Sequence, residues 1–553
     1  MLANPTLKTW AQGYNPTGHI WLSTALAAMP LVLLLALMLA VRMKAHRAAL
    51  ITLLIAIATA VVGFHMPVKL ALLSTMLGGM YGLFPIFWII LPVIFLYELT
   101  VRAGRFALLQ QCVGGITADG RLQLLLIAFT LGAFFEGASG FGTPVAVCGA
   151  LLLGLGFEPL QAAAYVLLAN TAPVAFGALG TPVIGLHGVT GIDTLQLTRT
   201  IALLLTPFCV IVPFWLITSF AGFRSMLEVW PAVLLAGGLF GAVQLTVATF
   251  HGPWLVNIAA SLITLVALVI LCRHWKPRTI LGPRLQVLTD SEIALCTPSA
   301  SDVRRALTPW LILALFVAPW GTPAFSHWLD SFSAITVPIR GLHLVVLRMP
   351  PIVPMSHAEP ATFLFNWLSA TGTGILIAAI AAGFTMGLGL RDMLGAARET
   401  IIKTRFTMIT IAALMGLAFL TRYCGLDAVL GLAFARTGSL YPFFGTLIGW
   451  LGTASTGSDT SSNVLFGSLQ KLTAQQLGLS ATLMAAANSG GGVMGKMIAP
   501  QSVVVASTAT ESYGKEGSIL RMVILHSLAL ACLMGSLVLV SVHIPFLARL
   551  LSR

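Results

Sequence analysis

Charged residues are scarce in this sequence. Asp, Glu, Lys and Arg together make up 8% of its 553 residues, against about 25% in an average soluble domain. Apolar residues make up 58%, and they come in runs of about 20, the length at which a helix crosses ~30 Å of hydrocarbon. The shortage of charge excludes a water-soluble fold, and the apolar runs predict an all-α, multi-pass membrane protein.

Clustered metal ligands and activated nucleophiles are also lacking. The seven cysteines are scattered and lie mostly inside apolar runs, so neither a zinc-type site nor a disulfide-stapled secreted domain is expected. The sequence contains no His-Glu-x-x-His and no Gly-x-Ser-x-Gly motif, which argues against an intramembrane enzyme. We therefore predict no metal, no cofactor and no nucleic-acid partner.

Apolar runs bounded by charged residues predict twelve full membrane spans. They lie near residues 20–41, 48–64, 70–97, 160–184, 200–222, 229–250, 254–272, 308–322, 366–389, 406–421, 480–507 and 522–547. Two further apolar segments, 122–156 and 440–470, are each interrupted by Gly, Ser, Thr and one acidic residue. We predict that each forms a re-entrant hairpin of two half-helices, because a polar break at membrane depth is tolerated only inside protein or beside a polar cavity.

The net charge of +13 is attributed to topology, because the cytoplasmic loops of membrane proteins collect Lys and Arg. If each span crosses once, the basic clusters fall on one side, which is then the cytoplasm. The segment 273–307 is predicted to be the main cytoplasmic loop, and 323–365 an external loop.

A weak internal repeat divides the chain into two halves. Residues 131–147 align without gaps on 448–464, and residues 169–183 align on 487–501, at offsets of 317 and 318. Two matches at nearly one offset favour a true repeat over the shared composition of Gly-rich membrane helices. Seven predicted crossings separate the two hairpins, and this odd number inverts the second half. Inverted repeats with discontinuous helices are typical of secondary transporters, whose site lies near the bilayer midplane.

The repeat sets the predicted organisation of the chain. Residues 1–119 contain the N-terminal spans, and 120–272 form the first repeat, with its hairpin at 122–156 and a broken helix at 160–184. The cytoplasmic loop at 273–307 follows, and then 308–365 with one span and the external loop. Residues 366–507 form the second repeat, with its hairpin at 440–470 and a broken helix at 480–507, and 508–553 contain the C-terminal span.

Two acidic residues stand out among the 17 in the chain. Only Glu136 and Asp459 fall in the middle of membrane-embedded segments, one at each predicted break. A charge at the bilayer centre costs about 2.5–3.5 kcal/mol even on a lenient scale, which favours a functional role. Burial favours the neutral form of a carboxyl group, so either acid is a candidate for binding and releasing a driving proton. The alternative is an acid that only stabilises its own turn.

Groups suited to a small carboxylate surround these acids. Glycines let the backbone approach a ligand, hydroxyl and amide groups supply hydrogen bonds, and helix N-termini attract anions. The alternative is that small residues serve helix packing and hydroxyls bond to their own backbone. The candidate substrate-binding residues are Ser139, Gly140, Thr143, Asn170, Thr171, Ser455, Thr456, Ser458, Thr460, Ser461, Asn463, Asn488, Ser489 and Lys496.

Two of these candidates open segments that resist a continuous helix. Asn170 is followed by two prolines, and Asn488 by the glycine triplet at 490–492, so both segments are predicted to be unwound. Lys496 follows the triplet and is a candidate for neutralising the substrate carboxylate, or for pairing with Asp459 in the empty site. The alternative is a lysine that snorkels to the membrane surface.

Long motifs at these segments resemble those of one transporter family. They are Tyr14-Asn-Pro-Thr-Gly-His-Ile-Trp-Leu-Ser23, Gly132-Ala-Phe-Phe-Glu-Gly-Ala-Ser-Gly-Phe-Gly-Thr-Pro144, Asn170-Thr-Ala-Pro-Val-Ala-Phe-Gly-Ala178, Arg348-Met-Pro-Pro351, Trp367-Leu-Ser-Ala-Thr-Gly-Thr373, Thr456-Gly-Ser-Asp-Thr-Ser-Ser-Asn463 and Gly495-Lys-Met-Ile-Ala-Pro-Gln-Ser502. Over essentially its whole length the chain resembles the lactate permease family, the bacterial L-lactate and glycolate permeases. It departs from the family pattern at Ser139, Thr143 and Arg422, and Arg422 is interpreted as a loop charge at the end of a span.

The resemblance implies import of L-lactate, D-lactate and glycolate in symport with protons across the cell inner membrane. It also implies kinship with a larger ion-transporter superfamily that uses paired re-entrant hairpins, unwound helices and an elevator-like motion, often in homodimers. The implied partners are a monocarboxylate, protons and the lipid bilayer. Substrate preference, proton stoichiometry and oligomeric state stay open. A Na⁺-coupled carboxylate transporter and an anion channel are the alternatives, because hydroxyl-rich hairpins and free carbonyls also suit Na⁺.

Overall fold

The computed structural model describes residues 9–39, 41, 43–114, 116–138, 140, 142–288, 299–320, 323–353, 355–512 and 515–544. Helices dominate these residues. Those before residue 288 are α1 (Ile20–Leu39), α2 (Ala45–Ala58), α3 (Val68–Tyr81), α4 (Trp88–Arg102), α5 (Arg105–Gly114), α6 (Gly120–Gln123), α7 (Gly132–Ala138), α8 (Thr143–Gly154), α9 (Pro159–Ala169), α10 (Gly177–Thr190), α11 (Thr194–Glu228), α12 (Trp230–Phe250) and α13 (Val256–His274).

The remaining helices lie after residue 298, and so do four of the five short strands. The other strand lies near the N-terminus. The helices are α14 (Ala300–Trp320), α15 (Pro323–Ser333), α16 (Thr371–Thr385), α17 (Leu390–Cys424), α18 (Leu426–Phe434), α19 (Tyr441–Thr456), α20 (Asp459–Gln476), α21 (Ala481–Gly495), α22 (Pro500–Ala509) and α23 (Glu516–His543). The strands are β1 (Trp10–Ala11), β2 (Ala334–Pro338), β3 (Val346–Arg348), β4 (His357–Ala358) and β5 (Thr362–Asn366).

Several helices are long and apolar enough to cross a membrane. Within the described ranges nine qualify by length and composition, or ten if one strongly bent pair counts as a single span. Eight of these nine helices and the bent pair match nine of the twelve predicted spans, whereas the ninth helix, Gly120–Ala138, lies in the segment predicted as a hairpin of two half-helices and is longer than a half-helix. The other three predicted spans fail the length criterion for a physical reason. The helices in the predicted spans 20–41 and 366–389 have shorter apolar stretches, and the span predicted at 480–507 is divided at residue 496. The chain is a multi-pass membrane protein.

The first half contains a hairpin followed by a broken helix. Residues 120–138 form one continuous helix, through a π-helical stretch between α6 and α7, and the chain returns in α8. We call 120–154 the first hairpin. Gly140 and Gly142 at its turn have φ of 61° and 88°, values that glycine adopts without strain. Pro144 lies in the first turn of α8, where its missing N–H is not needed.

The first broken helix consists of α9 and α10. The chain bends by 66° between them, through a turn and one 3₁₀ segment that follow Asn170. Ala178, Leu179 and Gly180 then all have left-handed φ, at 42°, 54° and 79°. Left-handed backbone at two non-glycine residues stores strain, and such strain persists where the surroundings hold it.

The second half repeats this order of elements. The helices α19 and α20 form the second hairpin, which turns at Gly457 with φ of 74°. The helices α21 and α22 form the second broken helix, which is interrupted by a 3₁₀ turn at 496–498 and an extended Ala499. The long helix α23 follows, as α11 follows the first broken helix.

One prediction about the second broken helix is wrong. The glycines at 490–492 do not interrupt it, because α21 runs without a break to Gly495. They instead allow close packing: a methyl group at Gly491 would overlap the Thr446 carbonyl oxygen of α19, and one at Gly449 would overlap that of Asn488. Membrane helices pack closely through such small residues, so the triplet serves the contact between α19 and α21.

Each hairpin packs against the broken helix of the other half. The returning helix α8 of the first hairpin contacts α22, and the returning helix α20 of the second contacts α10. Both contacts run through glycines: a Cβ on Gly149 would lie 3.3 Å from Ala509, and one on Gly185 would lie 3.2 Å from Thr460. The turns of both hairpins therefore lie between the two halves of the chain.

The predicted external loop at 323–365 is not irregular. It contains α15 and two small sheets: β2 pairs antiparallel with β5, and β3 pairs with both β1 and β4. The N-terminal strand is held there, and Gln12 Nε2 also donates to the carbonyl oxygens of Arg422 and Tyr423 at 2.9 and 2.8 Å. Local sequence patterns did not reveal these sheets, because the strands are two to five residues long and β1 pairs with β3 across more than 300 positions.

A buried arginine attaches the segment after α13 to the base of the first hairpin. The Arg121 side chain is fully buried and donates to both carboxylate oxygens of Asp119, to Glu228, and to the carbonyl oxygens of Ser225 and Thr279. All five N–H groups of the guanidinium are used. A buried charge is tolerated when it is paired and fully hydrogen-bonded, and Arg121 meets that condition.

The contact between α19 and α21 predicts a stability effect. Gly449→Ala should lower the free energy of unfolding by about 1–3 kcal/mol, because the added methyl group must push the two backbones apart. Gly154→Ala is the matched control, since a Cβ there meets no atom within 4 Å. Thermal unfolding of the purified protein in detergent measures both, and equal stability of the two variants would contradict the proposed packing.

Candidate functional site

The two acids singled out by the sequence lie at the turns of the two hairpins. Glu136 lies in the last turn of the helix 120–138, and Asp459 is the first residue of α20. Their exposed fractions are 3% and 2%. A carboxyl group buried this deeply at membrane depth needs partners inside the protein, and the two acids differ in the partners they have.

Glu136 faces the first broken helix. Asn170, at the end of α9, donates its Nδ2–H to Glu136 Oε2 at 3.0 Å. The other carboxyl oxygen lies against Gly177, where a Cβ would be 2.5 Å from it. The amide oxygen of Asn170 is buried and has no hydrogen-bond partner among the described residues, and the same holds for that of Asn257 on the adjacent α13.

Asp459 is surrounded by donors from the second half. Ser489 on α21 donates to Asp459 Oδ2 at 2.6 Å, Asn463 donates to the same oxygen at 3.3 Å, and Thr453 donates to Oδ1 at 3.4 Å. Ser458 caps α20 by accepting from the Ser461 N–H. The carboxylate thus lies at the N-terminus of an 18-residue helix, where the helix dipole favours a negative charge.

A chain of buried amides extends from Asp459 into the second hairpin. Asn488 donates to Asn463 Oδ1 at 2.9 Å and accepts from Gln470 at 3.2 Å, and Tyr441 donates to Gln470 Oε1 at 2.7 Å. Asn463 also donates to the Pro182 carbonyl oxygen of α10 at 3.2 Å. This last bond joins the second hairpin to the kinked helix of the first half.

Lys496 lies between the two acids. It begins the 3₁₀ turn of the second broken helix and is 8% exposed, so it does not snorkel to the surface. Its ammonium donates to the Gly457 carbonyl oxygen at 2.8 Å, and it acts electrostatically on both Glu136 and Asp459. Among the residues with described positions, no ion pair within 4 Å joins it to either acid.

The other predicted substrate residues fall into two groups. Thr456, Ser458, Thr460, Ser461 and Ser489 lie at or beside the second turn, near Asp459. Gly140 and Thr143 lie at the first turn, where Gly140 contacts Ala178 of α10. Thr171 is fully buried and donates to the Leu168 carbonyl oxygen. Ser139 lies outside the described residues, as does the side chain of Ser455.

Sequence reasoning missed several polar residues of the site. Thr453, Gln470 and Tyr441 all belong to the network around Asp459 and Asn488. A signal existed for Gln470, which is an amide at the end of an apolar hairpin segment. Tyr441 and Thr453 carry no such signal, because aromatic and hydroxyl residues are common in membrane helices.

Four further acids are buried outside the site. They are Glu98, Asp119, Glu359 and Asp427. Glu359 forms ion pairs with Arg348 and with Arg422, the latter at 3.1 Å. The interpretation of Arg422 as a loop charge is therefore wrong: it lies in the last turn of α17 and attaches the segment that contains the small sheets to that helix. The same pair gives the Arg348 motif a structural role.

Comparison with known proteins places the chain in one family. The family model described as L-lactate permease matches residues 23–545. The chain is 41% identical to the glycolate permease GlcA of Escherichia coli K12 over 97% of its own length and 98% of that protein. It is 40% identical to the L-lactate permease of the same strain, over 96% and 97% of the two chains, and 40% identical to that of Bacillus subtilis, over 97% and 99%.

One solved structure aligns with the chain at lower similarity. The YdaH transporter of Alcanivorax borkumensis matches 85% of this chain and 88% of that one, with 14% identity and a TM-score of 0.45.

The hydrogen bond from Asn463 to the Pro182 carbonyl oxygen, which links the two halves, predicts a stability effect. Asn463→Ala should lower the free energy of unfolding by about 1–3 kcal/mol, because it leaves the Asn488 amide and the Pro182 carbonyl without their partner. Gln475→Ala, on the exposed face of the same helix, is the control. If the two variants unfold at the same temperature, the network around Asn463 does not hold the halves together.

Proposed function

The chain belongs to the L-lactate permease family, and from this premise we propose that it is a proton-coupled symporter that imports L-lactate and related 2-hydroxymonocarboxylates, D-lactate and glycolate among them, across the cell inner membrane. Family membership confirms the resemblance found in the motifs and identifies a transporter rather than an enzyme. Identity of 40–41% over nearly the whole chain to both lactate and glycolate permeases is the observation that carries the substrate class.

The proposed transport unit is a pair of inverted repeats. Its support is the matching order of hairpin, broken helix and long helix in each half, together with the packing of each hairpin on the broken helix of the opposite half. In transporters built this way, the site lies where the repeats meet and one part moves against the rest. We propose an elevator-like alternating access, in a homodimer as the family resemblance implies.

The proposed substrate site lies between the two hairpin turns. The Lys496 ammonium and the N-terminus of α20 both provide positive charge for the substrate carboxylate, so that no second buried cation is needed. Hydroxyl groups at the second turn, such as those of Thr456 and Ser461, suit the 2-hydroxyl of the substrate. An acid at each turn provides a proton site within the same cavity, so that a proton and an anion can cross together.

Sodium coupling is the alternative with a specific observation in its favour. The buried amide oxygens of Asn170 and Asn257 have no hydrogen-bond partner within the described part of the chain, and oxygen atoms of this kind are ligands for hard cations. The Glu136 carboxyl group lies beside Asn170. An experiment on this protein therefore has to vary Na⁺ as well as pH.

The decisive measurement is uptake of labelled L-lactate into proteoliposomes under an imposed pH gradient, with and without Na⁺. We expect accumulation that follows the pH gradient and does not change when Na⁺ is replaced by K⁺. Accumulation that requires Na⁺ and does not depend on the pH gradient would contradict proton coupling. Competition by D-lactate, glycolate and acetate then ranks the substrates.

Lys496 provides a test of the substrate site. Lys496→Ala should raise the KM for L-lactate about tenfold or more, because a charge-assisted hydrogen bond is worth about 1.5–3 kcal/mol. The control is Lys515→Ala, which removes an exposed lysine ahead of α23. An unchanged KM in Lys496→Ala would mean that the lysine only stabilises the hairpin turn at Gly457 and does not bind the substrate.

A further inference from the structure

The two buried acids lie at opposite ends of their helices. Glu136 is two residues from the end of the 19-residue helix 120–138, and Asp459 begins the 18-residue helix α20. The helix dipole places partial negative charge at a C-terminus and partial positive charge at an N-terminus. The backbone therefore opposes a negative charge on Glu136 and favours one on Asp459.

Their hydrogen bonds differ in the same direction. Asp459 accepts from three side chains, those of Ser489, Asn463 and Thr453. Among the residues that the structure describes, Glu136 accepts from one, that of Asn170. Because hydrogen bonds donated to a carboxylate stabilise its charged form, the surroundings of Asp459 are built for an anion and those of Glu136 are not.

The amide oxygen of Asn170, which has no hydrogen-bond donor among the described residues, favours a protonated Glu136. A buried acceptor without a donor is costly, and this one belongs to the amide that already contacts Glu136. A protonated carboxyl group has one O–H donor, whereas a carboxylate has none. Protonation of Glu136 thus supplies a donor beside the acceptor that lacks one.

The net charge of the site stays unchanged on substrate binding only if one acid takes up a proton. With Glu136 and Asp459 both ionised, the two acids and Lys496 carry a net charge of −1. A bound monocarboxylate alone would bring this to −2 inside the protein, which is unfavourable at low dielectric. A proton on Glu136 together with the monocarboxylate returns the net charge to −1.

The remaining titratable groups that face Glu136 do not compete for this role. Lys496 is the charged side chain that acts on it. Cys148 on the returning helix α8 is buried and donates to the Ile127 carbonyl oxygen, and His187 on α10 contacts the Ile192 carbonyl oxygen at the exposed end of that helix. On α13 the titratable residues are at 272–274, roughly 20 Å along the helix from the residues that contact Gly137.

We infer that the two acids have different roles: Glu136 binds the transported proton, while Asp459 stays ionised throughout the cycle and serves as the fixed counter-charge of Lys496. This rests on the proposed function and deepens it. One proton and one monocarboxylate bind together, transport is electroneutral, and the substrate is held only when Glu136 is protonated.

The test uses the full chain in proteoliposomes, with L-lactate as substrate and a pH-sensitive dye inside the vesicles. For the native protein, a lactate gradient should move protons, and the apparent affinity should fall about tenfold per pH unit once Glu136 is mostly ionised, as linkage of one proton to one substrate requires. In Glu136→Gln, lactate exchange should continue, the affinity should vary less than about twofold over the same pH range, and no protons should move.

The counterpart variant is Asp459→Asn. It should lose lactate binding and exchange, because Lys496 loses its fixed counter-charge. If Asp459→Asn instead exchanges lactate without moving protons while Glu136→Gln stays coupled, the roles are reversed and the inference is overturned. Coupling that persists in both variants overturns it as well. Glu158→Gln, at an exposed residue, is the control and should behave as the native protein.

Two further measurements separate the possible failures. Native protein that transports lactate without moving protons contradicts the proposed function itself, whatever the variants do. If Glu136→Gln does not fold, as judged by gel filtration and thermal unfolding, Glu136→Asp keeps a titratable group at that position. It should shift the pH at which affinity is halved, whereas Asp459→Glu should not; the reverse pattern contradicts the inference.

Discussion

The interior of a bilayer offers no water to a polar group, so each backbone amide and each charge at membrane depth must find its partner inside the protein. This constraint accounts for the continuous helices and also for the two places where they are interrupted. The breaks at Gly140 and Gly457 lie between the two halves of the chain, where protein surrounds them on both sides. Polar groups from both halves thus meet where the interrupted helices face one another, as in the hydrogen bond from Asn463 to the Pro182 carbonyl oxygen.

Glycine enables that arrangement in two distinct ways. At the turns, Gly142 and Gly457 adopt left-handed backbone that allows a helix to reverse within a few residues. Along the helices, Gly449 and Gly491 bring the backbones of α19 and α21 together, which positions Asn488 and Ser489 over Asp459. Close helix packing and the geometry of the site are therefore one property of this chain, and polar partners are held by rigid elements rather than by loops.

The same constraint gives the few charges their roles. Arg121 is buried and Arg422 is partly buried; each pairs with a carboxylate and joins separate parts of the fold. Lys496, Glu136 and Asp459 form a second kind of group, in which charges act on one another without contact ion pairs among the described residues. Charges held by carboxylate partners fit a structural role. Lys496, Glu136 and Asp459 lack such contact pairs with one another, which is why the binding of a substrate carboxylate and a proton is proposed there.

The sequence by itself determined much of the molecule. Apolar run length identified the membrane class, polar interruptions predicted both hairpins, and the scarcity of acids within the predicted membrane segments singled out Glu136 and Asp459. These signals are local, because hydropathy and helix periodicity are read within one segment. The tertiary structure alone decided that Asn170 donates to Glu136 across 34 positions, and that α21 continues through its glycines because α19 lies against them. It also decided that Arg422 pairs with Glu359 across 63 positions and that the external segment forms sheets. Partners of this kind depend on which helices pack together, and no local pattern carries that information.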